Sequence, residues 1–363
     1  MQEEQIAFSV SKDVFYNPNM RLCRSMSSLA VGAIGEKLEL VDAFTASGIR
    51  GIRYAKENRN VKKLTLLDID KRAIALAKKN AKASKLKAPK VQTALGNISR
   101  LAFELDADFL EIDPFGTPSP YLIDAFRYFN TKKTAYLSVT ATDVAVLCGG
   151  KTAPCMKNYH SKPMNNEFTH ETGLRIMIKK IAETAAEFNM GIKPLVSFSD
   201  KHYLKSVLEV RRSADLAFVS MSALGHVSFC HSCGERSHSR FPVNACPRCG
   251  NENDFAGQMW LGELHDSDFL KKMTKLNIQR EYADKVEIGH FLSLMETEIG
   301  MPPYYYNIHA LCKLNRMKSV PTIDHVLKDL ESKGHKAYRT HFSPICIKTA
   351  APYGDILSAI GAS

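Results

Sequence analysis

Apolar runs of strand length alternate with stretches of helical period along the first part of the chain. Leu38 to Phe44 (LELVDAF) and Leu64 to Leu67 are two such runs, and each is followed by residues whose apolar positions recur at helical spacing. Further runs predict a third strand at Val91 to Leu95, a fourth at Phe109 to Ile112 and a fifth at Ala135 to Thr140. Upstream, Asn17 and Pro18 start a turn with helix from Met20 onward, and Asp70 is placed to cap a helix over Lys71 to Ala81. Gly173 to Phe188 carries Ile176, Ile178, Ile181, Ala182 and Ala185 on one helical face. Ile192 to Ser199 and Tyr203 to Val210 then read as a β-hairpin around SDKH. Strands alternating with helices predict a mainly parallel α/β sheet, here closed by an antiparallel hairpin, over a first domain of residues 1–225.

The second half has a different pattern. Residues 226–262 hold CHSC and CPRC, with twelve residues between Cys233 and Cys246. Two such knuckles, Cys230 with Cys233 and Cys246 with Cys249, can converge on one tetrahedral zinc with no position left for substrate, so one structural zinc ribbon is expected. A redox role for either pair, or ligation by His231 or His238, is the alternative. Cys23, Cys148, Cys155, Cys312 and Cys346 lack such spacing and read as ordinary thiols. From 263 to 363 the chain turns helical and then basic. Thr322 is placed to cap a helix carrying Ile323, Val326, Leu327 and Leu330, Gly334 ends it, and a hairpin-like segment runs through Arg339 and Ile347. That is the pattern of a small α+β, winged-helix-like domain.

Composition changes the picture in one respect. The formal net charge of +11 points to a polyanionic partner more than to a small neutral substrate. Between Tyr305 and His341 there are seven Lys or Arg against three acids, so Lys313, Arg316, Lys318 and Arg339 are candidate phosphate contacts, or a solvated basic face. The start, MQEEQIAFSV, has no export signal and no run of eighteen apolar residues occurs, so a cytoplasmic protein without a membrane span is expected. A monomer is the expected state.

The candidate chemistry lies at the strand ends. Ala46, Gly48 and Gly51 form an A-x-G-x-x-G turn, and Asp68 follows Ala46 by 22 residues, the position from which an acid binds ribose hydroxyls. The bulky Ile49 and Arg50 and the missing G-x-G disfavour a pyrophosphate, whereas an adenosine ligand without phosphates, such as S-adenosylmethionine, suits the turn. Asp42 faces either the ligand's charged end or the turn backbone, and Asn97, beyond the third strand, is a candidate for the adenine edge. DFLEIDPFG ends in Asp113, Pro114, Phe115 and Gly116: an anionic acceptor, a fixed carbonyl direction, a flat ring and a turn. Two acceptors beside an aromatic fit a planar base with an exocyclic amine. The alternative is a plain strand end with a turn.

FYNPNMRLCR, VDAFTASGIRGIR, LEIDPFG, SVTATDVAVLCG, the four-cysteine segment and YRTHFSPICIKTAAP together resemble the tRNA guanine-26 N2-dimethyltransferase family in its archaeal form. The resemblance spans nearly the whole chain. It implies a class I, Rossmann-like S-adenosylmethionine-dependent methyltransferase domain, a four-cysteine zinc ribbon and a small C-terminal domain that binds tRNA. It further implies that Arg24, Arg50 and Asp68 bind S-adenosylmethionine, that Asp113 and Pro114 accept from the guanine amine, and that Phe15 and Phe115 stack on the base. At the third strand end an acidic pair is common in the family, and Ala94, Leu95, Gly96 and Asn97 stand there instead. Two other readings share parts of this pattern: a non-catalytic RNA-binding ribbon protein with a degenerate methyltransferase domain, and an amine methyltransferase acting on DNA or protein.

Overall fold

The computed structural model of the chain describes residues 1–86, 90–101 and 106–362. β1 (Leu38–Asp42), β2 (Val61–Asp68), β3 (Lys90–Leu95), β4 (Phe109–Ile112), β5 (Thr134–Ala141), β6 (Met190–Asp200) and β7 (Tyr203–Arg212) build one sheet in the order β3-β2-β1-β4-β5-β7-β6. β1 to β5 are parallel, β7 runs antiparallel to β5, and β6 antiparallel to β7. The order reverses between β1 and β4, so the tips of those strands open the crevice where α/β sheets bind ligands.

Strand alternation divides the core in two. Leu38, Leu40, Leu64 and Leu66 pack on one face with α1 (Arg21–Ile34) and α2 (Ile49–Glu57), joined by Ala77 of α3 (Lys71–Ala83). Val41, Leu110, Ile112, Leu137 and Val139 pack on the other with α4 (Thr169–Ala186). α4 begins before the apolar period expected from Gly173, because its first turn is held by charge: Glu171 is buried and pairs with Arg175 at 2.9 Å and Lys348 at 2.6 Å. Hydrophobic spacing carries no trace of such a turn.

Beyond the hairpin, β8 (Leu224–Phe229), β9 (Arg236–Ser239) and β10 (Asp254–Trp260) form an antiparallel sheet in the order β9-β8-β10. The division expected at residue 225 falls inside β8. Leu224, Val227, Phe229, Met259 and Trp260 belong to the same core as β4, β5 and α4. α5 (Ser267–Gln279) and α6 (Lys285–Thr297) bring Phe269, Met273, Ile288 and Leu292 to the opposite face, beside α1. The second half of the chain therefore clothes both faces of the first.

The tail comprises β11 (Tyr306–Asn307), α7 (Ile308–Leu314), α8 (Ile323–Ser332), β12 (Ala337–Thr340), β13 (Ser343–Thr349) and α9 (Tyr353–Ala359), with its strands ordered β11-β13-β12. Thr322 accepts from the His325 amide at 3.2 Å, and Gly334 ends α8 at φ +84°, as expected from the sequence. Tyr304, Tyr305 and Tyr306 are buried core residues. Among the described residues no helix is long and apolar enough to cross a membrane.

Candidate active site and metal centre

The turn after β1 is shaped by backbone needs first. Gly48 sits at φ +83° before α2, and a Cβ at Gly51 would lie 2.6 Å from Leu66 and 3.1 Å from the Asp42 carboxylate. That contact brings the α2 amides onto Asp42, whose Oδ2 accepts from Gly51 N at 3.1 Å and Thr45 Oγ1 at 3.0 Å. The other oxygen of Asp42 is buried without a partner. Burial, then the nearby Glu111 charge, push the Asp42 carboxyl up to about 7. At the tip of β2, Asp68 is half-buried and accepts from Ala46 N at 2.9 Å and Asp70 N at 3.0 Å, tying the turn to the strand. Asp70 caps α3 by accepting from Arg72 N. Asn97 is exposed just beyond β3, where Gly96 N donates to Asp68 O at 3.0 Å, so the tips of β2 and β3 stand side by side. The two outcomes weighed for Asp42 resolve toward the turn backbone for one oxygen.

Asp113 follows β4 directly, with its side chain 18 % exposed. Arg50 of α2 donates from Nη2 to Asp113 Oδ2 and lies 3.8 Å from Glu111. Burial alone would raise the Asp113 carboxyl, but Arg50 and Lys205 outweigh it and hold the group below its ordinary value of 3.8. Asp113 is therefore a carboxylate at neutral pH. The loop behind it is pinned to the end of β5: Gly116 N donates to Thr142 Oγ1 at 2.8 Å and Thr142 N to Gly116 O at 3.0 Å, with Gly116 at φ +75°. A Cβ at Gly116 would meet nothing, so the dihedral and not the space calls for glycine. Phe15 and Phe115, a hundred residues apart in sequence, meet edge to face with centroids 4.8 Å apart while 55 % and 76 % exposed. An exposed aromatic pair beside a carboxylate offers a flat base both a face and an acceptor.

Arg24 is placed differently from the expectation of an open ligand contact. It is buried, donates from Nε to Glu3 Oε1 at 2.7 Å and from Nη1 to Asn17 O at 3.1 Å, and lies over the Tyr16 ring. Glu3 also accepts from Arg53 at 2.8 Å, and these two arginines hold its carboxyl below its ordinary range against the cost of burial. The three guanidinium nitrogens of Arg24 each make one such bond inside the protein, which leaves one hydrogen on Nη1 and one on Nη2 for any further acceptor. Sequence reasoning missed Glu3, and it missed Glu111 and Lys205, both fully buried beneath Asp113. A signal existed for the second pair: each is a lone charge inside a mostly apolar run, LEI and YLKSVL.

The four ribbon sulfurs lie within 4.8 Å of one another, with Cys230 to Cys249 and Cys233 to Cys246 both at 3.5 Å. Zinc bonded to sulfur at about 2.3 Å in a tetrahedron sets the sulfurs roughly 3.8 Å apart, so the set fits one zinc and closes it. The ribbon is knitted to the tail by Arg236, which donates to Tyr305 O at 2.6 Å and lies 4.2 Å from the centre of the Tyr306 ring, and by Tyr353 OH, which donates to Cys233 O at 2.6 Å. His265, Glu298 and His341 form a second buried convergence of ligand-type groups. There the Ser197 amide faces His265 Nδ1 at 3.4 Å, so metal binding at Nε2 would demand an imidazolate. Glu298 instead accepts from Thr340 Oγ1 and His341 N, each at 2.7 Å, and works as a carboxylate clasp on the tail hairpin. In the tail, Lys313, Arg316 and Lys318 are exposed. Arg339 is engaged, donating to Asp324 at 2.8 Å and Pro344 O at 3.2 Å.

Known proteins share both this fold and this length. Over 94% of this chain and 92% of its own length, the tRNA (guanine(26)-N(2))-dimethyltransferase of Thermococcus kodakarensis is 35% identical. That of Methanobrevibacter smithii is 33% identical over 96% of this chain and 91% of its own. The solved structure of Trm1 from Pyrococcus horikoshii in complex with S-adenosyl-L-methionine superposes with a TM-score of 0.90 at 29% identity, covering 99% of both chains. The family model described as N2,N2-dimethylguanosine tRNA methyltransferase matches residues 1–361, and to that family the chain belongs.

Proposed function

We infer that this chain uses S-adenosylmethionine to methylate the exocyclic N2 amine of guanine 26 in tRNA, through to N2,N2-dimethylguanine. The observation that carries the reading is the ionised Asp113 carboxylate held at the tip of β4 beside the exposed Phe15 and Phe115 pair. Both site and tail come from one chain, and we take the working unit to be a monomer in the cytoplasm. A tRNA carrying adenine at position 26 should accept no label from methyl-labelled cofactor under conditions where the guanine form is modified. Equal labelling of both would move the target base elsewhere.

A guanine amine is a poor nucleophile because its lone pair is delocalised into the ring. Bound cofactor supplies an electrophilic methyl on a sulfonium sulfur. Asp113 and the Pro114 carbonyl accept the two amine hydrogens, which localises the lone pair on nitrogen while Phe15 and Phe115 hold the ring in plane. As the N–C bond forms and the S–C bond breaks, N2 becomes strongly acidic, and even the weakly basic Asp113 can take its proton. Acceptance at the right place, more than intrinsic basicity, is what this carboxylate contributes.

For the cofactor, we assign Arg50, Asp68, Asp42, Gly48 and Asn97, in and around the turns that follow β1 to β3, with Asp68 on the ribose hydroxyls. Arg24 acts through Glu3, holding residues 1–7 against α1 and α2. Asp68→Ala should weaken cofactor binding roughly 10- to 100-fold, the equivalent of charge-assisted hydrogen bonds worth about 1.5 to 3 kcal/mol, with smaller loss of turnover at saturating cofactor. Normal affinity by calorimetry would transfer the ribose contact to Asp70.

Asp42 supplies a pH test. If its unpartnered oxygen meets the cofactor ammonium, binding requires the ionised form, and a free-site value of about 7 means that a proton must leave at lower pH. Cofactor affinity should therefore rise with pH up to about 7 and then level, and Asp42→Asn should flatten the rise. An unchanged slope in that variant would remove Asp42 from the ligand.

The exposed Lys313, Arg316 and Lys318 are assigned to tRNA phosphates. Neutralising all three should flatten the log-log salt dependence of tRNA binding by about two to three units, at roughly 0.7 to 0.9 per contact, while turnover at saturating tRNA is nearly kept. Lost turnover with an unchanged slope would contradict the assignment.

A further inference from the structure

Beneath Asp113 lies a charged network that the reaction as described does not use. Glu111 and Asp113 are two residues apart at the end of β4, and Glu111 is fully buried. Its carboxylate accepts from Lys205 Nζ and, at 2.8 Å, from Tyr54 OH. Lys205, also fully buried, stands on β7 two strands away; it reaches across β5, donating to Thr140 Oγ1 at 2.9 Å on the way. Arg50 closes the circuit between Glu111 and Asp113. Two cations and two carboxylates thus share one largely buried site that opens only at Asp113, with Asp42, Cys23, Tyr54 and Tyr203 as its other ionisable neighbours. Tyr54 and Tyr203 are held neutral by burial first and by nearby negative charge second. A purely structural filling of this space would use apolar side chains, since a buried ion pair is no more stable than a well-packed hydrophobic replacement.

We propose that Lys205 and Glu111 are positioning residues for the reaction: their buried pair fixes the charge and the direction of the Asp113 carboxylate that meets the substrate amine. The proposal rests on Asp113 being that acceptor. Lys205 supplies the positive charge that Arg50 alone cannot, because Arg50 is shared between two carboxylates. Glu111 holds Lys205 in place and keeps the site neutral. Without Lys205 the site carries one excess negative charge, and a proton is drawn onto a carboxylate at higher pH. Without both members the balance is restored.

The test is the pH profile of kcat at saturating cofactor and tRNA, which reports groups in the bound complex. Wild type should be flat down to at least about pH 5, because Asp113 lies below 3.8. Lys205→Met should bring an acid limb up by about one unit or more, into the measurable range. Lys205→Arg should keep the flat profile, and Glu111→Gln added to Lys205→Met should return the limb toward wild type. Melting curves and cofactor binding, measured on each variant, identify those that fold. A folded Lys205→Met protein with lowered rate and an unshifted limb would reduce the pair to a packing role, as would a double variant whose limb stays raised. Asp113→Asn, run in parallel, separates this proposal from its premise: full turnover there removes the acceptor itself, whatever the limb does.

Discussion

Asp113→Asn should lower methyl transfer to guanine by roughly 10² to 10⁴ while leaving cofactor affinity within a few fold. The substitution keeps the size of the side chain but exchanges an ionised acceptor for a neutral amide, one end of which donates and would repel the amine hydrogens. Arg50, bonded to Asp113, would lose its counter-ion at the site, although Glu111 lies 3.8 Å away and retains part of the balance. Asparagine is a cleaner probe than alanine for that reason. Emptying the position would leave the buried guanidinium with only the more distant Glu111 and a cavity beside it, a change that costs about 3 to 5 kcal/mol of stability and confounds the rate. Isothermal binding of the cofactor and single-turnover transfer, measured together, check both halves of the expectation. Unchanged transfer would end the assignment of Asp113.

The second large effect concerns the metal. Converting Cys246 and Cys249 to serine should remove one zinc per chain and lower the melting temperature by about 10 °C or more, since structural zinc contributes on the order of 10 kcal/mol of folding energy in small domains that depend on it. The damage should not stay within the ribbon. Phe229, Met259 and Trp260 belong to the core that covers β4 and β5, and Arg236 ties the ribbon to Tyr305 of the tail. Affinity for tRNA should therefore fall with the zinc, whereas cofactor binding, assigned to the tips of β1 to β3, should persist. Metal analysis and thermal melting read the outcome. Full stability in a metal-free preparation would refute the site.

The strands, the capped helices and the four-cysteine pattern were legible because each obeys a local rule. Apolar period marks β1 to β7, Asp70 and Thr322 sit where free amides need an acceptor, and paired C-x-x-C spacing marks a closed tetrahedron. Phe15 meets Phe115 edge to face, a contact that spacing alone could not have shown between residues so far apart. What stayed hidden was set by pairing of charge across the fold. The first turn of α4 depends on Glu171 meeting Lys348 from the tail, and Arg24 turns inward because Glu3 supplies a carboxylate from the chain start. Glu111 and Lys205 meet across a strand that separates them. No window of sequence contains either partner of such a pair together with its reason. The boundary expected at residue 225 lies inside β8, since composition shifts where the ribbon starts while the hydrophobic core runs on without a break.

The central claim is that Asp113 and its aromatic neighbours present one guanine amine of tRNA to S-adenosylmethionine. Incubation of the full chain with unmodified tRNA and methyl-labelled cofactor, followed by digestion to nucleosides and mapping of the label, tests it most directly. The expected result is label confined to N2,N2-dimethylguanosine at position 26, absent when Asp113 is replaced by asparagine. Label on another base, or on the protein, or none at all in a preparation that binds the cofactor, would contradict the account.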